Sequence, residues 1–248
     1  MSSGDRWQGG VLSPVFFNIY IDDVVSTVNK SVTGCHVHYV SAAILVYADD
    51  ILLLAPSVSS LQSLVDICYR ELNDLGMAIN AKKTVCMRIG PGYQRDCAAI
   101  TVGTGLVLRW VDKCRYLGTV VISSSVFKCE HSECKKSFYR SFNATFGRIG
   151  RLASADVAME LVKKKCLPIL LYASEALPSS SRSYGSLEFA INGVVAKIFA
   201  IRSNDNIQYI RQSFGIAPLK ELVAARRRTF LCRLARIDNT YSLVWTLT

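Results

Sequence analysis

The sequence predicts an α+β fold, because strand-like and helix-like segments alternate in its first half and helices dominate its second half. The first half contains short runs rich in β-branched and aromatic residues, which favour strands. From about residue 123 the apolar residues recur at helical spacing instead. We therefore predict an α+β domain at residues 1–122 and a mostly α-helical domain at residues 123–248.

The beginning of the chain predicts a helix, a β-hairpin and a second helix, in that order. Residues 15–28 carry apolar residues at helical spacing. Residues 36–47 and 51–55 are strand-like runs joined by the short acidic turn Ala48-Asp49-Asp50, which is typical of a β-hairpin. Residues 59–75 form an amphipathic pattern with serines at its start, which predicts a capped helix.

Further strands and then helices complete the predicted fold. A strand-like run at residues 84–89 is separated by the turn signal Pro91-Gly92 from shorter β-like segments between residues 100 and 121. Beyond them, helical periodicity predicts four helices, at residues 134–152, 154–171, 185–201 and 219–237.

The composition indicates a folded protein and favours a polyanionic partner. Half of the 248 residues are hydrophobic and 19% are charged, which excludes a disordered or collagen-like chain. Lysine and arginine number 29 against 19 acidic residues, a formal net charge of +10. Such a charge favours nucleic acid, because phosphate contacts release counterions. It does not decide the matter, since basic surfaces also occur on other proteins.

Cysteine usage and hydropathy predict an intracellular protein, cytoplasmic or nuclear, with no membrane association. The nine cysteines are irregularly spaced and lie mostly in apolar stretches, as expected of free thiols in a reducing compartment. The polar N-terminus has no apolar signal core. The longest apolar tract, residues 40–55, contains Asp49 and Asp50 near its centre, where two charges would be costly in a bilayer.

The adjacent carboxylates of Asp49 and Asp50 are the most informative feature of the sequence. They repel each other and are costly to desolvate, so their place between two apolar strands favours a cation at the same site. Hard oxygen ligands suit Mg²⁺, and two such ions can assist phosphoryl transfer. An ordinary surface turn, in which aspartates provide turn chemistry, is the alternative that these residues alone leave open.

Four segments, in this order, resemble the successive motifs of reverse transcriptases. Residues 6–20 (RWQGGVLSPVFFNIY) resemble the motif that precedes the catalytic hairpin, and Tyr47-Ala48-Asp49-Asp50 matches the hairpin itself. Residues 75–84 (LGMAINAKKT) match the next palm motif, and Tyr116-Leu117-Gly118 resembles the primer-grip hairpin. The residues of each motif are most similar to those in the enzymes of non-LTR (LINE-like) retrotransposons.

This resemblance implies a fold and an activity. The fold would be a partial polymerase palm, an antiparallel sheet with the acidic hairpin and packed helices, followed by a mostly α-helical, thumb-like region. The activity would be RNA-directed DNA polymerisation, a nucleotidyl transfer assisted by two Mg²⁺ ions. Its partners would be an RNA template, a DNA primer and deoxynucleoside triphosphates.

The resemblance also implies which residues form the site. Asp49 would be the catalytic, metal-ligating carboxylate of the hairpin, with Asp50 beside it. A solvated loop is the open alternative for the two lysines of the third motif. The incoming nucleotide and template would be bound by residues of the first and third motifs, which are Gln8, Gly9, Lys82 and Lys83.

One departure from the family pattern bears on activity. Reverse transcriptases carry another metal-binding aspartate and the fingers upstream of the first motif seen here, whereas only five residues precede Arg6. Asp22 and Asp23 follow that motif on the predicted helix and are expected at the surface. We therefore expect this chain alone to be inactive and the full-length protein to include the upstream segment. The alternative is a non-catalytic retroelement remnant that binds nucleic acid.

Two weaker patterns remain. Residues 129–134 (CEHSEC) contain possible zinc ligands, but a tetrahedral site needs four, so ordinary packed positions are favoured. The basic triplets at residues 163–165 and 226–228, with Arg148 and Arg151, predict either contact with a nucleic-acid backbone or a solvated basic face. Beside the palm motifs we favour the backbone contact.

Overall fold

A computed structural model describes residues 13–37, 39–103, 105–149, 152–176, 182–234 and 236. These residues mix helices with small sheets, so the α+β fold class is confirmed. They form two compact units. The first contains the described residues up to Arg88 together with residues 94–111, and the second contains Ile89–Tyr93 and the described residues from Asp112 onward.

The first unit is built from two helices, a β-hairpin and a three-stranded sheet. In the sheet, β5 pairs in parallel with β7, and β7 pairs with β6 in antiparallel fashion. The elements in chain order are α1 (Ser13–Lys30), β1 (His36–Val37), β2 (Val40–Ser41), β3 (Ile44–Tyr47), β4 (Asp50–Leu53), α2 (Val58–Asp74), β5 (Val85–Cys86), β6 (Ile100–Val102) and β7 (Leu106–Trp110).

Helix α2 lies between two small cores of the first unit. It begins after Ser57, whose hydroxyl accepts a hydrogen bond from the Ser60 amide at 3.1 Å. Leu64 and Cys68 are buried in a cluster with α1 and the hairpin strands β3 and β4. Val65, on the neighbouring side of the helix, is buried against the sheet. The hairpin is therefore fixed on one face by apolar packing against two helices.

Gln62 of α2 also closes one edge of that sheet. Its side-chain amide donates to the carbonyl oxygen of Thr101 at 2.8 Å and accepts from the amide of Thr101 at 2.9 Å. Thr101 is the central residue of β6, the outer strand. The glutamine side chain therefore makes the pair of bonds that a neighbouring strand would make.

The second unit places a small antiparallel sheet beside a bundle of helices. The sheet has the strand order β10-β9-β8. One continuous helical stretch, from α4 through a π-helical turn to α5, contains Pro168. The elements are β8 (Lys113–Tyr116), β9 (Thr119–Ile122), β10 (Lys128–Glu130), α3 (Ser132–Ile149), α4 (Ala155–Leu161), the π-turn (Val162–Cys166), α5 (Leu167–Leu170), a 3₁₀ turn (Ser174–Ala176), α6 (Arg182–Phe199), α7 (Asn204–Ser213) and α8 (Leu219–Leu234).

A buried arginine joins the last three helices of this unit. Arg211 of α7 is 1% exposed and forms an ion pair with Glu188 of α6. Its guanidinium also donates to Asn192 at 2.7 Å and to the carbonyl of Ala217 at 2.8 Å. Glu188 in turn accepts from the amide of Leu219, the first residue of α8, at 2.8 Å. The charge is thus compensated on several sides, as burial requires.

Several sequence predictions differ from the structure in detail. The single strand predicted at residues 36–47 is wrong, because β1 turns back to pair with β2 before β3 begins. Helix α7 was not predicted. The strands β8 and β9 lie in the second compact unit, which also contains Ile89–Tyr93. The division into a palm at residues 1–122 and a thumb at residues 123–248 stays a prediction.

Among the described residues, no single helix is both long and apolar enough to cross a membrane. The helices α6 and α7 meet such a criterion only as a pair, and this pair is bent by 88°.

Candidate functional site

The hairpin of β3 and β4 carries the acidic pair at its exposed tip. Tyr47 pairs with Asp50 across the hairpin, and Ala48 and Asp49 form the two-residue turn between them. Ala48 has a φ of 51°, in the left-handed region that a two-residue hairpin turn requires at such a position. Both aspartates are exposed. The turn therefore presents two neighbouring carboxylates to solvent.

The alternation of the strands sets which side chains accompany these carboxylates. Ile44 and Val46 face the helices and lie in the core, so Leu45 and Tyr47 point to the opposite face. Tyr47 is 64% exposed, and its cross-strand partner Asp50 shares its face. The hairpin thus has a buried apolar face and an open face that ends in the carboxylates.

These carboxylates fit part of a magnesium site. Their oxygens are the hard ligands that Mg²⁺ prefers. Over the described residues, however, no group of three or more histidine, cysteine, aspartate or glutamate side chains is arranged to hold a metal ion. The donor type of Asp49 and Asp50 therefore fits the ion, while these two residues by themselves are too few for a two-ion site.

The lysines of the third motif lie on a turn shaped by Asn80. The Asn80 side-chain oxygen accepts from the amides of Lys82 and Lys83 at 3.2 and 3.3 Å, and its carbonyl accepts from the amide of Thr84 at 2.9 Å. Both lysine side chains are exposed. Asparagine favours such turns because its side chain bonds to the backbone two residues ahead. The turn therefore offers two cations to solvent in a fixed backbone frame.

Arg109 is a third cation at this turn, which the sequence did not reveal. Its guanidinium donates to the carbonyl of Lys82 at 3.3 Å. The parallel pairing of β5 with β7, in which Val85 lies opposite Arg109, brings the side chain there. No local sequence pattern could have identified it, because the pairing joins two distant strands.

The first motif is only partly described. Gln8 and Gly9 lie outside the described residues. The helix that follows them buries Val24 and Val28, while Asp22 and Asp23 are exposed, as expected of surface positions. A set of apolar side chains at the start of α1 is also exposed to solvent, namely Val15, Phe16, Ile19 and Tyr20.

A second hairpin tip, between β8 and β9, carries the Tyr116-Leu117-Gly118 segment. Leu117 and Gly118 have φ values of 44° and 80°, and Tyr116 pairs with Thr119 across the turn. The Thr119 hydroxyl donates to the carbonyl of Tyr116 at 2.9 Å. Tyr172, which follows α5, donates its hydroxyl to the carbonyl of Leu117 at 2.8 Å. This tip is therefore held by a residue that lies far away in sequence.

The basic triplets are partly neutralised by ion pairs. Lys163 and Lys164 both contact Glu160, at 2.8 and 3.9 Å, and Lys165 is exposed. In α8, Arg226 pairs with Glu175 at 2.9 Å, whereas Arg227 and Arg228 are exposed. Arg148 is exposed at the end of α3, and Arg151 lies outside the described residues.

The cysteine and histidine segment at residues 129–134 is packed into the second unit. His131 and Cys134 are buried. Burial lowers the pKa of the His131 imidazole and raises the pKa of the Cys134 thiol, because both charged forms lose hydration. Both residues are therefore kept in their neutral forms near neutral pH.

Comparison with known proteins agrees with the ordered motifs. Residues 7–121 match the model of a family described as reverse transcriptase (RNA-dependent DNA polymerase). The chain is 27% identical over 133 residues to the Retrovirus-related Pol polyprotein from type-2 retrotransposable element R2DM of Drosophila melanogaster. That alignment covers 51% of this chain and 12% of the polyprotein, so the chain spans only a small part of that relative. The comparisons therefore support a reverse transcriptase segment at residues 7–121, similar to that of a non-LTR retrotransposon.

Proposed function

We propose that this chain forms part of an RNA-directed DNA polymerase that extends a DNA primer on an RNA template. The observation that carries the proposal is the exposed pair Asp49 and Asp50 at the tip of a hairpin whose other face is packed on two helices. This arrangement fixes the carboxylates while leaving them free to meet a charged ligand. The family match of the surrounding segment supports nucleic acid and nucleotides as the substrates.

Asp49 is the residue that would hold a catalytic Mg²⁺ ion, and Asp50 would assist beside it. When bound, such ions neutralise the phosphates and activate the primer 3′-hydroxyl for nucleotidyl transfer. Lys82 and Lys83, on their exposed turn, would bind the triphosphate. Gln8 and Gly9 would line the nucleotide and template. Selection of the correct base needs no further protein group, because pairing with the template provides it.

Residues 1–122 would form a partial polymerase palm and residues 123–248 a thumb-like region. The hairpin, the helices α1 and α2 and the three-stranded sheet would form part of the palm, and the helical bundle would form the thumb. The tip Tyr116–Thr119 would contact the primer strand. Exposed arginines of α8, Arg227 and Arg228, would contact the phosphate backbone, since charge-based contacts of this kind require no base recognition.

The partners implied are an RNA template, a DNA primer and deoxynucleoside triphosphates, without a membrane. The compartment would be intracellular, cytoplasmic or nuclear. We propose further that the 248-residue chain has no polymerase activity by itself, because the described residues bring no third carboxylate to Asp49 and Asp50. Template-directed extension by the purified chain would contradict this part of the proposal.

The limited set of carboxylates also favours a second candidate, a non-catalytic retroelement remnant that binds nucleic acid. The two candidates differ in their dependence on metal and on Asp49. For a polymerase, incoming nucleotide should strengthen binding to a primer–template duplex only when Mg²⁺ and Asp49 are present. For a remnant, nucleic-acid binding should depend on neither.

The deciding experiment compares the chain with its Asp49→Asn variant in a primer–template binding assay, with and without Mg²⁺ and the next complementary nucleotide. Even residues that only support metal ligands alter metal affinity by about 10- to 100-fold, so loss of a ligand should reduce the nucleotide effect at least about tenfold. Asp23→Asn, which removes the same charge from an exposed position of α1, is the matched control. An equal nucleotide effect in all three proteins, or none in any, would favour the remnant.

A further inference from the structure

The tip of the β8–β9 hairpin is held in a conformation that its own residues do not favour. Leu117, with a φ of 44°, is not a glycine, yet it occupies the left-handed region next to Gly118 at 80°. A branched side chain there is strained, and such strain persists only where surrounding contacts hold the backbone. The tip is also exposed at Leu117 and Gly118, so burial does not provide the restraint.

Tyr172 provides the restraint in two ways. Its hydroxyl donates to the carbonyl of Leu117 at 2.8 Å. Its ring also covers Gly118 closely, since a Cβ atom at residue 118 would lie 3.1 Å from Cε1 of the tyrosine. The ring and the hydroxyl thus contact both turn residues. Because Tyr172 is 48% exposed, these contacts lie at the surface, where a bound ligand could reach the tip.

The segment that carries Tyr172 is fixed to α8 at its other end. Ala173 has a φ of 54°, so the chain turns sharply after the tyrosine and enters the 3₁₀ turn. Glu175 in that turn accepts a hydrogen bond from Nε of Arg226 at 2.9 Å and forms an ion pair with the same guanidinium. Arg227 and Arg228 follow Arg226 directly and are exposed. A short segment therefore connects the hairpin tip to the basic part of α8 within one compact unit.

We infer that Tyr172 is a positioning residue for the primer end, which holds the Leu117–Gly118 tip in a fixed place relative to the exposed arginines of α8. This inference rests on the proposed function, since it takes the ligand to be a primer–template duplex. The arginines supply affinity for phosphate that is independent of where the duplex ends. The tip, once fixed by Tyr172, supplies preference for a recessed primer 3′ end.

The test measures two affinities for the 248-residue chain and for Tyr172→Phe. One ligand is an RNA–DNA duplex with a recessed primer 3′ end, and the other is the same duplex with both ends closed by loops. Loss of one hydrogen bond should reduce the preference for the recessed end by about two- to tenfold and leave affinity for the closed duplex unchanged. A merely structural role would move both affinities together or neither.

Three further variants separate the contributions of the tyrosine hydroxyl, the hairpin tip and the α8 arginines to duplex binding. Tyr209→Phe removes a hydroxyl from an exposed tyrosine of α7 in the same unit and should change nothing. Gly118→Ala crowds the Tyr172 ring and should lower the end preference as Tyr172→Phe does. Arg227→Ala should weaken binding to both duplexes alike and reduce its salt dependence.

The possible outcomes bear separately on the role of Tyr172 and on the proposed nucleic-acid function. An end preference in the unaltered chain that Tyr172→Phe retains would overturn the role of Tyr172. Binding by the unaltered chain without any end preference would overturn it as well. Failure of the unaltered chain to bind either duplex would instead overturn the proposed nucleic-acid function, and with it this inference.

Discussion

The two hairpin tips of this protein reach similar turns by different means. Both have a two-residue turn with a non-glycine residue in the left-handed region, Ala48 in the first and Leu117 in the second. Among the described residues, no side chain is hydrogen-bonded to the carboxylates at the first tip. At the second tip, the Tyr172 hydroxyl donates a hydrogen bond to the carbonyl of Leu117. The first hairpin is held in place by the packing of its buried strand face on α1 and α2, and its tip remains accessible to a charged ligand.

A two-residue turn can be fixed either by the packing of its strands or by a contact from another part of the chain. The apolar face of β3 and β4 packs on α1 and α2, so a rigid base determines where the acidic tip lies. The strands β8 and β9 have no fully buried side chains between Lys113 and Ile122, so more of the restraint falls on contacts at the tip. Substitutions should therefore act at different places in the two hairpins.

The largest expected effect is in the buried face of the first hairpin. Ile44→Ala removes a side chain that is 2% exposed and should cost about 2–5 kcal/mol of the free energy of unfolding. Leu45→Ala, at the next residue on the open face, should cost less than about 1 kcal/mol and is the matched control. Chemical unfolding with hydrogen exchange at β3 and β4 measures both. Equal costs would show that the open face is packed as tightly as the buried one.

A smaller effect is expected at the tip of the second hairpin. Gly118→Ala places a Cβ in a left-handed conformation and against the Tyr172 ring, so the free energy of unfolding should fall by about 1–2 kcal/mol. Gly147→Ala is the control, because a Cβ at this helical glycine of α3 would meet open space. Alanine there should raise the free energy of unfolding by about 0.5–1 kcal/mol. If both variants gained stability, the contacts of Tyr172 with Leu117 and Gly118 would be unimportant for the stability of the turn.

The smallest effect is expected at the tip of the first hairpin. Ala48→Gly relieves a left-handed strain, but glycine also gains freedom in the unfolded chain, so the net change should stay within about 1 kcal/mol. Ala48→Val is the contrasting variant, because a β-branched residue fits this conformation poorly and should be clearly less stable than the glycine variant. Thermal unfolding of the two variants checks this. A large loss in Ala48→Gly would mean that the alanine methyl makes contacts that stabilise the tip.

The sequence predicts the first hairpin and α2 well because their patterns are local. Two apolar runs on either side of Ala48–Asp50 suffice for a hairpin, and helical spacing with a serine cap suffices for α2. The fold-back of β1 onto β2 is also short-range, since Val37 lies opposite Val40, but its turn carries none of the glycine, asparagine or aspartate residues that mark a tight hairpin in a sequence. Next to this hairpin Gly34 lies close to Ala43, where a Cβ on the glycine would lie 2.2 Å from the alanine Cβ. The β-branched residues of that segment suit one long strand equally well.

Helix α7 and two long-range side-chain contacts could not be predicted from the sequence. Helix α7 was missed because its buried face includes Arg211, whose charge hides the apolar periodicity and is compensated only by distant partners such as Glu188. Tyr172 and Arg109 were missed because each acts on a turn that is distant in sequence. Asp49, Asp50, Lys82 and Lys83 were predicted as site residues from their motifs, and their roles stay predictions.

Gln62 limits the association of the first unit with other copies of itself through the edge of its sheet. An outer strand with free amides and carbonyls is a template on which a strand of another molecule can assemble. At Thr101 both of these groups are already bonded to the glutamine amide, so an arriving strand would have to displace a helix side chain before it could pair. One polar residue of α2 thereby acts as a terminator of β-sheet growth. At this outer edge of β6, where the sheet has no further strand, it opposes edge-to-edge aggregation.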